Sequence, residues 1–386
     1  MKVLHIGKFF APFRGGVENY MRDAMVSLSR QGIRCCAVVH RHEWSFRSID
    51  ELHDTGEIRF HVLRAGTWFK FMYTPFSPMF PVLLRRSIRL YQPDILHVHM
   101  PNPSAFWALL LPAARKIPWV VHWHSDVVIG AHEPRMRWFY PVYRPLEQRL
   151  LRRARAIIVT SQAYLDYSGP LKDHQEKCHI VPLGLDAARH DQAPGRIPAA
   201  LANRHSETLR VLAIGRLTYY KGFEYLIQAS ARLTHVHVDI VGAGERLRSL
   251  QKLVSRLGVE DRVCLRGALL DQDLQQLLGD CDCLCLPSIE RTEAFGLVLL
   301  EAMLHGKATV VSDVPGSGMA WIVEHGITGI TVKPADPQAL ANALQYLQQN
   351  REEALAMGRR GRARYEQLFR IDRSTASLIE IYRLVA

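Results

Sequence analysis

The sequence predicts an α/β fold built from two doubly wound, Rossmann-like domains. Short, nearly continuous apolar runs alternate with amphipathic stretches, as expected for parallel strands covered by helices on both faces. The same rhythm repeats in the second half of the chain. In addition, 386 residues exceed the usual size of one hydrophobic core. Each half is therefore expected to form its own parallel sheet.

Eleven apolar runs are candidate strands. They cover residues 3–6, 35–39, 95–98, 119–122 and 157–159 in the first half, and 210–214, 237–241, 262–265, 281–286, 308–311 and 329–332 in the second. We place the first domain at residues 1–183 and the second at 184–365. The last segment, from about Glu352 to Ala386, is a basic amphipathic helical stretch. Its C-terminal helix, at residues 366–386, either crosses back to the first domain or belongs to a solvated helix pair.

Charge is divided unequally between the two halves. Residues 1–183 hold 25 Lys and Arg against 14 Asp and Glu, whereas residues 184–386 hold 24 against 23. The basic half is expected to face phospholipid head groups, a lipid diphosphate or nucleic acid, and composition alone leaves these three open.

Cysteine usage and the absence of long apolar segments bear on the location. Seven cysteines without paired C-x-x-C spacing favour a reduced compartment and small core side chains. No signal peptide and no apolar run of about 18 residues is visible. We expect a cytoplasmic protein whose membrane contact, if it has one, is peripheral.

The most informative segment lies between Pro287 and Glu301, after the predicted strand 281–286. Gly296 permits close approach to the backbone, and the helix that starts beside it offers free N–H groups to an anion. Glu293 and Glu301 could hold two hydroxylated parts of one elongated ligand. The alternatives are a helix-capping carboxylate for Glu293 and a surface position for Glu301.

A second segment, Gly-Arg-Leu-Thr-Tyr-Tyr-Lys-Gly at residues 215–222, follows the predicted strand 210–214. It places Arg216 and Lys221 at the carboxyl end of a strand, a combination suited to a diphosphate. The segment lacks the G-K-[ST] of a P-loop. A charged surface turn is the alternative, but it would not explain two cations at the same sheet edge as the helix after Glu293. Gly242 belongs to a Gly-Ala-Gly turn, which by itself is weak support for a nucleotide loop.

Five ordered motifs resemble family 4 of the retaining GT-B glycosyltransferases over nearly the whole chain. They are Gly-Gly-Val-Glu at 15–18, Trp-His-Ser-Asp at 123–126, Val-Pro-Leu-Gly-Leu-Asp at 181–186, Gly-Arg to Lys-Gly at 215–222, and the E-x7-E pair of Glu293 and Glu301. The resemblance implies two Rossmann-like domains facing a central cleft, and transfer of a sugar from a nucleotide donor.

The resemblance also implies roles for residues of the second half. Arg216 and Lys221 would bind the donor diphosphate and stabilise the leaving charge, and Glu301 would hold the ribose. Glu293 would hold the transferred sugar and the distal phosphate. The backbone N–H groups that would assist it are those of Ala294, Phe295, Gly296 and Leu297.

Three further residues complete the expected site. Gly16 would line the phosphate or acceptor side, and Gly242 is assigned to the donor-binding set. His124 would touch the donor sugar near its reacting carbon and joins Arg216, Lys221 and Glu293 in the catalytic set. Without the motif, His124 would be interpreted as a structural residue at the end of a buried strand.

The implied reaction retains the anomeric configuration without a protein nucleophile. The departing phosphate would take the acceptor proton during front-face attack, with preorganised cations as the main catalytic groups. The D-x-D sequence at Asp280 and Asp282 opens a buried-looking strand away from the phosphate loop, so we interpret it as structural. No metal and no other cofactor is expected.

The acceptor prediction rests on residues 68–86, where aromatic residues, prolines and cations alternate, and on arginines within 135–143 and 149–155. These suit partial insertion at an anionic membrane. We therefore favour a polyprenyl-diphosphate- or lipid-linked precursor of lipopolysaccharide or exopolysaccharide, at the inner face of the cytoplasmic membrane. The alternative is that the aromatics are core residues and the arginines a solvated face.

The sequence leaves alternatives open for the donor nucleotide sugar and for the class of enzyme. The variants at residues 219–222 and 290–293 resemble bacterial mannosyl- and rhamnosyl-type enzymes, which favours GDP-mannose over a UDP-hexose. A GT-B-like nucleotide-sugar epimerase would share the phosphate site, but the hinge and E-x7-E motifs favour a transferase. A basic nucleic-acid-binding protein is disfavoured because no recognition helix, zinc finger or RNP-type motif is visible.

Overall fold

The computed structural model describes residues 1–13, 15–71, 74–128, 134–190 and 207–386. The chain folds into two compact units. The first comprises Met1–Gly184 together with Ile371–Ala386, and the second comprises Leu185–Arg370. Within the described ranges, no helix is both long and apolar enough to cross a membrane. The α/β class with parallel sheets, predicted from the alternating apolar runs, is confirmed.

Sixteen strands are described, ten in the first unit and six in the second. Those of the first unit are β1 Lys2–Ile6, β2 Arg34–Trp44, β3 Ile49–Asp54, β4 Arg59–Thr67, β5 Phe69–Phe71, β6 Thr74–Phe76, β7 Ile95–Met100, β8 Trp119–Trp123, β9 Ala156–Val159 and β10 Cys178–Ile180. Those of the second unit are β11 Leu209–Ile214, β12 Val236–Val241, β13 Val263–Gly267, β14 Cys283–Leu286, β15 Ala308–Ser312 and β16 Gly329–Val332.

The helices of the described residues surround these strands. The first unit has α1 Gly16–Arg30, α2 Met79–Tyr91, α3 Trp107–Leu110, α4 Pro112–Arg115, α5 Pro134–Arg153, α6 Gln162–Tyr167 and α15 Ile371–Val385. The second unit has α7 Ala187–His190, α8 Phe223–Ser230, α9 Leu247–Leu257, α10 Asp271–Asp280, α11 Leu297–Leu304, α12 Met319–Ile322, α13 Pro337–Gln349 and α14 Arg351–Leu368.

The sheet of the first unit has the strand order β10-β9-β8-β7-β1-β2-β4-β3. Its pairings are parallel apart from the edge strand β3, which runs antiparallel to β4. The chain begins at β1, moves outward through β2, and returns to the other side of β1 with β7. The strand order therefore reverses between β1 and β7, where doubly wound sheets bind ligands beyond their carboxyl ends.

Strands β3 and β4 were not among the predicted strands. In β4 the polar residues Arg59, His61 and Arg64 interrupt the apolar run that identifies a buried strand. Arg64 is nonetheless buried, because its guanidinium donates to the carboxylate of Glu51 at 2.7 Å and to backbone carbonyls of the loop after β1. Long-range hydrogen bonds thus replace the hydration of this charge.

The sheet of the second unit is parallel throughout, with the order β13-β12-β11-β14-β15-β16. Apolar side chains of β11, β12, β14 and β15 form its core with residues of α8, α9 and α13. The strand order reverses between β11 and β14. The loops that follow these two strands are the two segments singled out in the sequence.

Two predicted boundaries differ from the structure. The strand predicted at 281–286 begins at Cys283, because the Cys281 N–H still bonds to the Leu277 carbonyl at the end of α10. The Asp282 carboxylate accepts the Arg210 N–H at 2.7 Å and pairs with Arg351 at 2.9 Å, so it ties strands and helix together. The C-terminal helix begins at Ile371 rather than at residue 366, because α14 continues to Leu368.

Helix α15 packs on α1 in the first unit. The Ser374 hydroxyl is hydrogen-bonded to the Tyr20 hydroxyl at 3.0 Å, and the Thr375 hydroxyl is hydrogen-bonded to the Ser27 hydroxyl at 2.7 Å. Leu378 and Tyr382 of α15 are fully buried in the apolar core beneath these contacts. The C-terminal helix is therefore an integral part of the first unit.

Candidate functional site

Two loops of the second unit meet where its strand order reverses. The loop after β11 and the loop after β14 are joined by a 2.8 Å hydrogen bond from the Ile289 N–H to the Tyr220 carbonyl. Gly222 has φ +65°, and a Cβ at this position would clash with the Pro287 carbonyl oxygen. The glycine is thus required for close contact between the loops.

Lys221 and Glu293 form an ion pair between these loops, with Nζ bonded to Oε2. Their side chains are only 10% and 13% exposed. Burial lowers the pKa of Lys221, but the charge and hydrogen bond of Glu293, together with Tyr220, offset burial and the net pKa is raised. Lys221 is therefore a positive charge at neutral pH, and its ammonium retains N–H donors for an additional anion.

Arg216 lies on the same loop as Lys221 and is exposed. Its guanidinium is close enough to oppose the charge of Lys221 electrostatically, which is one of the smaller effects on the Lys221 pKa. The predicted pair of cations is thus brought together at one strand end. Such a pair can bind two phosphates of one ligand.

Helix α11 follows Glu293 and begins after Gly296, which has φ +87° and provides no capping side chain. The first N–H groups of a helix have no intrahelical acceptor, so α11 presents donors at this edge. Ala294 and Phe295 are buried beneath it. Glu301 lies one turn along from Leu297 on the partly exposed face of the helix.

Gly242 has a structural role in the same edge. A Cβ on Gly242 would clash with the Gly215 carbonyl, and the Leu217 N–H bonds to the Ala243 carbonyl at 3.0 Å. The Gly-Ala-Gly turn therefore packs directly against the start of the loop that carries Arg216 and Lys221.

The sequence reasoning missed Ser317 and Gly318. The Ser317 hydroxyl donates to the Glu293 carbonyl at 2.5 Å, and the Gly318 N–H donates to the Ala294 carbonyl at 2.7 Å. A third loop, after β15, thereby holds the backbone around Glu293. The Pro-Gly-Ser-Gly sequence at 315–318 signals a loop, but it does not reveal which segment the loop contacts.

The two site residues predicted in the first half lie near its own carboxyl edge. Gly16 begins α1, where Gly15 provides no capping side chain and the Glu18 carboxylate lies against Gly15. Tyr20, one turn further along, contacts the His124 ring edge-on with centroids 6.0 Å apart. Gly16 and His124 therefore belong to one neighbourhood of the first unit.

His124 follows β8 and is held by its surroundings. Its backbone N–H donates to the Met100 carbonyl at 3.0 Å, and its ring Nε2 contacts Nδ1 of His99 at 2.9 Å. The nearby Asp126 carboxylate accepts from Trp123 Nε1 and from the Ser168 hydroxyl, both at 2.7 Å. Burial lowers the pKa of His124 well below its usual value, with His99 adding to this effect. The His124 imidazole is neutral at physiological pH.

The aromatic stretch predicted at 68–86 divides into two parts, with residues 72 and 73 outside the described ones. Trp68, Phe69 and Phe76 are exposed, whereas Phe80 of α2 is buried. Trp68, Phe69 and Phe76 form an aromatic patch with the exposed Trp44 and Phe46. The Phe46 ring contacts the Trp68 ring, and the Trp68 backbone N–H bonds to the Phe76 carbonyl. On α5, Trp138 is 87% exposed, while Arg149 is also exposed.

Both units match models of known glycosyltransferase families. Residues 202–364 match the family model described as glycosyl transferases group 1, and residues 15–184 match the glycosyl transferase 4-like domain. These two matches cover the second and the first unit, respectively, over most of their length.

Similar proteins span most of the chain. D-rhamnosyltransferase WbpZ of Pseudomonas aeruginosa is 34% identical over 280 residues, covering 72% of this chain and 70% of the relative. The O-antigen chain mannosyltransferase C of Escherichia coli is 28% identical over 388 residues, covering 99% and 98%. The solved sucrose-phosphate synthase of Thermosynechococcus elongatus shares the GT-B fold with a TM-score of 0.80, at 21% identity and coverage of 99% and 98%.

Proposed function

This chain belongs to the group 1 glycosyl transferases, and we propose that it moves a hexose from GDP-mannose to a lipid-linked glycan of a cell-surface polysaccharide, with retention of configuration. The observation that carries this proposal is the Lys221–Glu293 pair. It unites a cation and a carboxylate from two loops at the reversal of strand order, where a nucleotide sugar would place its diphosphate beside its sugar.

Each group of the second unit has a proposed role toward the donor. Lys221 and Arg216 would bind the diphosphate, and the N–H groups at the start of α11 would assist at the distal phosphate. Glu293 would accept hydrogen bonds from hydroxyls of the transferred sugar while it keeps Lys221 charged. Glu301, further along α11, would bind the ribose.

The proposed reaction needs charge stabilisation more than proton transfer by the protein. As the bond from the anomeric carbon to the phosphate oxygen breaks, negative charge develops on the nucleoside diphosphate. Lys221 and Arg216 would take up that charge without a divalent cation. The acceptor hydroxyl bonds to the anomeric carbon on the face from which phosphate departs, and its proton passes to a phosphate oxygen.

The donor is tested first by nucleotide binding. A ligand that binds only the native state raises its stability, so GDP, UDP, ADP and dTDP at equal concentration are compared by thermal unfolding. We expect the largest stabilisation with GDP, in keeping with the mannosyl and rhamnosyl relatives. A larger response to UDP would transfer the proposal to a UDP-hexose, and no response to any of the four would overturn it.

Transfer itself is tested with GDP-mannose and a polyprenyl-diphosphate-linked oligosaccharide. Product formation that persists in EDTA would support metal-independent catalysis, and the coupling constants of the new anomeric proton would report retention or inversion. An inverted product would contradict the proposed mechanism. Isomerised sugar released without acceptor would instead identify an epimerase.

The first unit is proposed to face an anionic membrane surface at the cytoplasmic side. The aromatic patch exposes Trp44, Phe46, Trp68, Phe69 and Phe76, and the exposed cations Arg47 and Lys70 directly follow Phe46 and Phe69 in the sequence. Exposed aromatic groups flanked by positive charge suit shallow insertion among acidic head groups. Such contact would bring the enzyme to an acceptor that is itself anchored in the bilayer.

Sedimentation with vesicles tests this surface. We expect binding to phosphatidylglycerol-containing vesicles that decreases with salt, and little binding to pure phosphatidylcholine. Trp68→Ser combined with Phe69→Ser should weaken binding without loss of nucleotide stabilisation. The matched control is Tyr346→Ser, an exposed aromatic of the second unit. Equal binding by both variants would contradict the assignment of the patch.

A further inference from the structure

The loop after β15 and the start of α12 contact the backbone beside Glu293. The Ser317 hydroxyl donates to the Glu293 carbonyl at 2.5 Å, and the Gly318 N–H donates to the Ala294 carbonyl at 2.7 Å. Ser317 is buried, and its hydroxyl oxygen also accepts the Met319 N–H at 3.3 Å. One serine hydroxyl therefore joins the start of α12 to the backbone of Glu293.

Arg364 of α14 holds the other end of α12. Its guanidinium donates to the Trp321 carbonyl at 2.8 Å and to the Ile322 carbonyl at 3.0 Å, in the last two residues of the helix. A further bond of 2.8 Å joins it to the Glu324 carboxylate. The last carbonyls of a helix have no intrahelical donor, and the planar guanidinium can bond to several acceptors at once. Arg364 therefore fixes the end of α12.

Aromatic rings connect the same helices to Phe295. Phe369, directly after α14, is fully buried, and its ring meets the Phe295 and Trp321 rings edge-on, with centroids 6.2 and 5.5 Å apart. The Arg364 guanidinium lies over the Trp321 and Phe369 rings at 5.7 and 5.8 Å. Both kinds of contact are favourable at these separations. Phe295 is thus held through its ring, two residues after Glu293.

The ion pair with Lys221 does not by itself fix the backbone of Glu293. Both side chains have several rotatable bonds, so the pair can persist while the backbone shifts. A hydrogen bond to a sugar hydroxyl is more demanding, because the hydroxyls of one sugar ring are fixed relative to one another and a bent hydrogen bond is weak. A fixed backbone therefore matters more for binding a sugar than for keeping Lys221 charged.

We propose that Ser317 and Arg364 are positioning residues that fix the backbone of Glu293, and that this support provides the part of the donor affinity that comes from the sugar. The role rests on the proposed function, in which Lys221 and Arg216 bind the diphosphate and Glu293 binds the transferred sugar. Neither Ser317 nor Arg364 would touch the substrate. Each acts through the backbone that carries the Glu293 carboxylate.

Ser317→Ala tests the hydrogen bond to the Glu293 carbonyl. We expect the dissociation constant of GDP-mannose to rise about tenfold and kcat to fall by a similar factor, while the dissociation constant of GDP stays within about twofold of wild type. Calorimetric titration without acceptor gives both dissociation constants. Equal weakening of GDP and GDP-mannose would overturn the proposal, as would unchanged binding of both.

The matched control is Ser230→Ala. Ser230 is also buried in the second unit, and its hydroxyl also donates to a backbone carbonyl, that of Ile227 in α8, at 2.8 Å. The same change is made, but no contact with the segment around Glu293 is lost. The ratio of the two dissociation constants should stay that of wild type. An equal change of this ratio in both alanine variants would overturn the proposal.

Arg364→Lys tests the other end of α12. The substitution keeps the positive charge but replaces the planar guanidinium with a single ammonium, which cannot bond to two carbonyls and a carboxylate with the same geometry. We expect GDP-mannose binding to weaken about three- to tenfold, with GDP binding within about twofold of wild type. Binding of GDP-mannose as tight as in wild type would remove Arg364 from the proposal.

Arg360→Lys is the control for this change. Arg360 lies one turn earlier on α14, where its guanidinium also donates to a backbone carbonyl, that of Ile327 at 2.6 Å, and pairs with the Glu353 carboxylate. These contacts do not involve α12. Binding of GDP and GDP-mannose should therefore be unchanged, and equal effects of the two lysine variants would contradict the assignment of Arg364.

A readout without substrate separates this proposal from the proposed function. Amide hydrogen exchange measures how firmly a backbone segment is held. Ser317→Ala and Arg364→Lys should increase exchange in peptides covering residues 290–297 but not in those covering 247–257 of α9. Exchange at 290–297 as slow as in wild type would overturn the proposal. If wild-type protein bound neither GDP nor GDP-mannose while 290–297 loosened in the variants, the proposed function would fail and the positioning of Glu293 would stand.

Discussion

Both units carry candidate functional groups beyond the carboxyl ends of parallel strands, but with different electrical character; those of the second unit follow β11 and β14, where its strand order reverses, and His124 of the first unit follows β8. In the second unit the side chains of Lys221 and Glu293 are both largely buried and form an ion pair. In the first unit the buried, neutral rings of His5, His99 and His124 form a hydrogen-bonded chain that ends at His124. The difference shows how one kind of sheet edge can serve two kinds of chemistry.

Burial acts on both edges, and the neighbours decide the outcome. Lys221 keeps its charge because the Glu293 carboxylate beside it, with a contribution from Tyr220, offsets the cost of desolvation. The histidines have other histidines as neighbours, and each adds to the effect of burial in lowering the pKa of His97. A charged edge suits a diphosphate.

The largest expected effect tests the charged edge. Lys221→Ala removes the cation nearest Glu293, and we expect kcat/KM to fall by about 10²–10³-fold because charge on the leaving phosphate loses its main partner. Stabilisation by GDP should also be largely lost. Lys252→Ala, at an exposed position of α9, is the control. Activity near wild type in Lys221→Ala would remove the basis of the comparison.

A smaller effect is expected from Glu301→Gln, which keeps the size of the side chain but removes its charge. If Glu301 binds the ribose, KM for the sugar nucleotide should rise about tenfold, as expected for loss of a hydrogen bond to a charged group, while kcat changes less. Initial-rate kinetics over a range of donor concentration separate the two. Glu352→Gln, exposed on α14, is the control. A fall in kcat alone would assign Glu301 to the reaction rather than to binding.

Acid should weaken the first unit selectively. The unfolded chain binds protons at histidines with pKa near 6.5, whereas folded His99 does so only near pH 3. Stability is therefore present above about pH 6.5 and falls as pH decreases, by up to about 1.4 kcal/mol per pH unit for each such histidine. Lys221, with its raised pKa, loses its contribution only in alkali. Urea unfolding at pH 7.5 and 5.5 checks this, and His97→Leu should show a shallower dependence.

The smallest effect concerns the contact between Tyr382 of α15 and the buried His97 of β7. Tyr382→Phe removes the hydroxyl that contacts Nδ1 of His97, and we expect a loss of about 1 kcal/mol in the free energy of unfolding. Catalysis should not change, because this contact lies outside the chain that ends at His124. Tyr346→Phe, exposed on α13, is the control for thermal unfolding. A large loss of activity in Tyr382→Phe would extend the functional network to α15.

Much of the candidate site could be predicted because its information is local. Apolar runs identified the central strands, and glycine with Arg, Lys or Glu directly after a run identified loops at carboxyl ends. The sequence therefore predicts that residues 215–222 and Glu293 lie at one sheet edge. The ordered motifs predicted the glycosyltransferase family, and the family matches confirm it.

The sequence by itself therefore determined the α/β class, the family and the loops that carry charge, since these depend on neighbours within a few residues. Only the tertiary structure decided which groups touch. Lys221 meets Glu293 across 72 residues, and His5 meets His99 across 94. Contacts of about 3 Å depend on strand order and register, which are set by packing of the whole sheet. The H-x-H spacing in β7 and at the end of β8 therefore did not reveal which histidines touch.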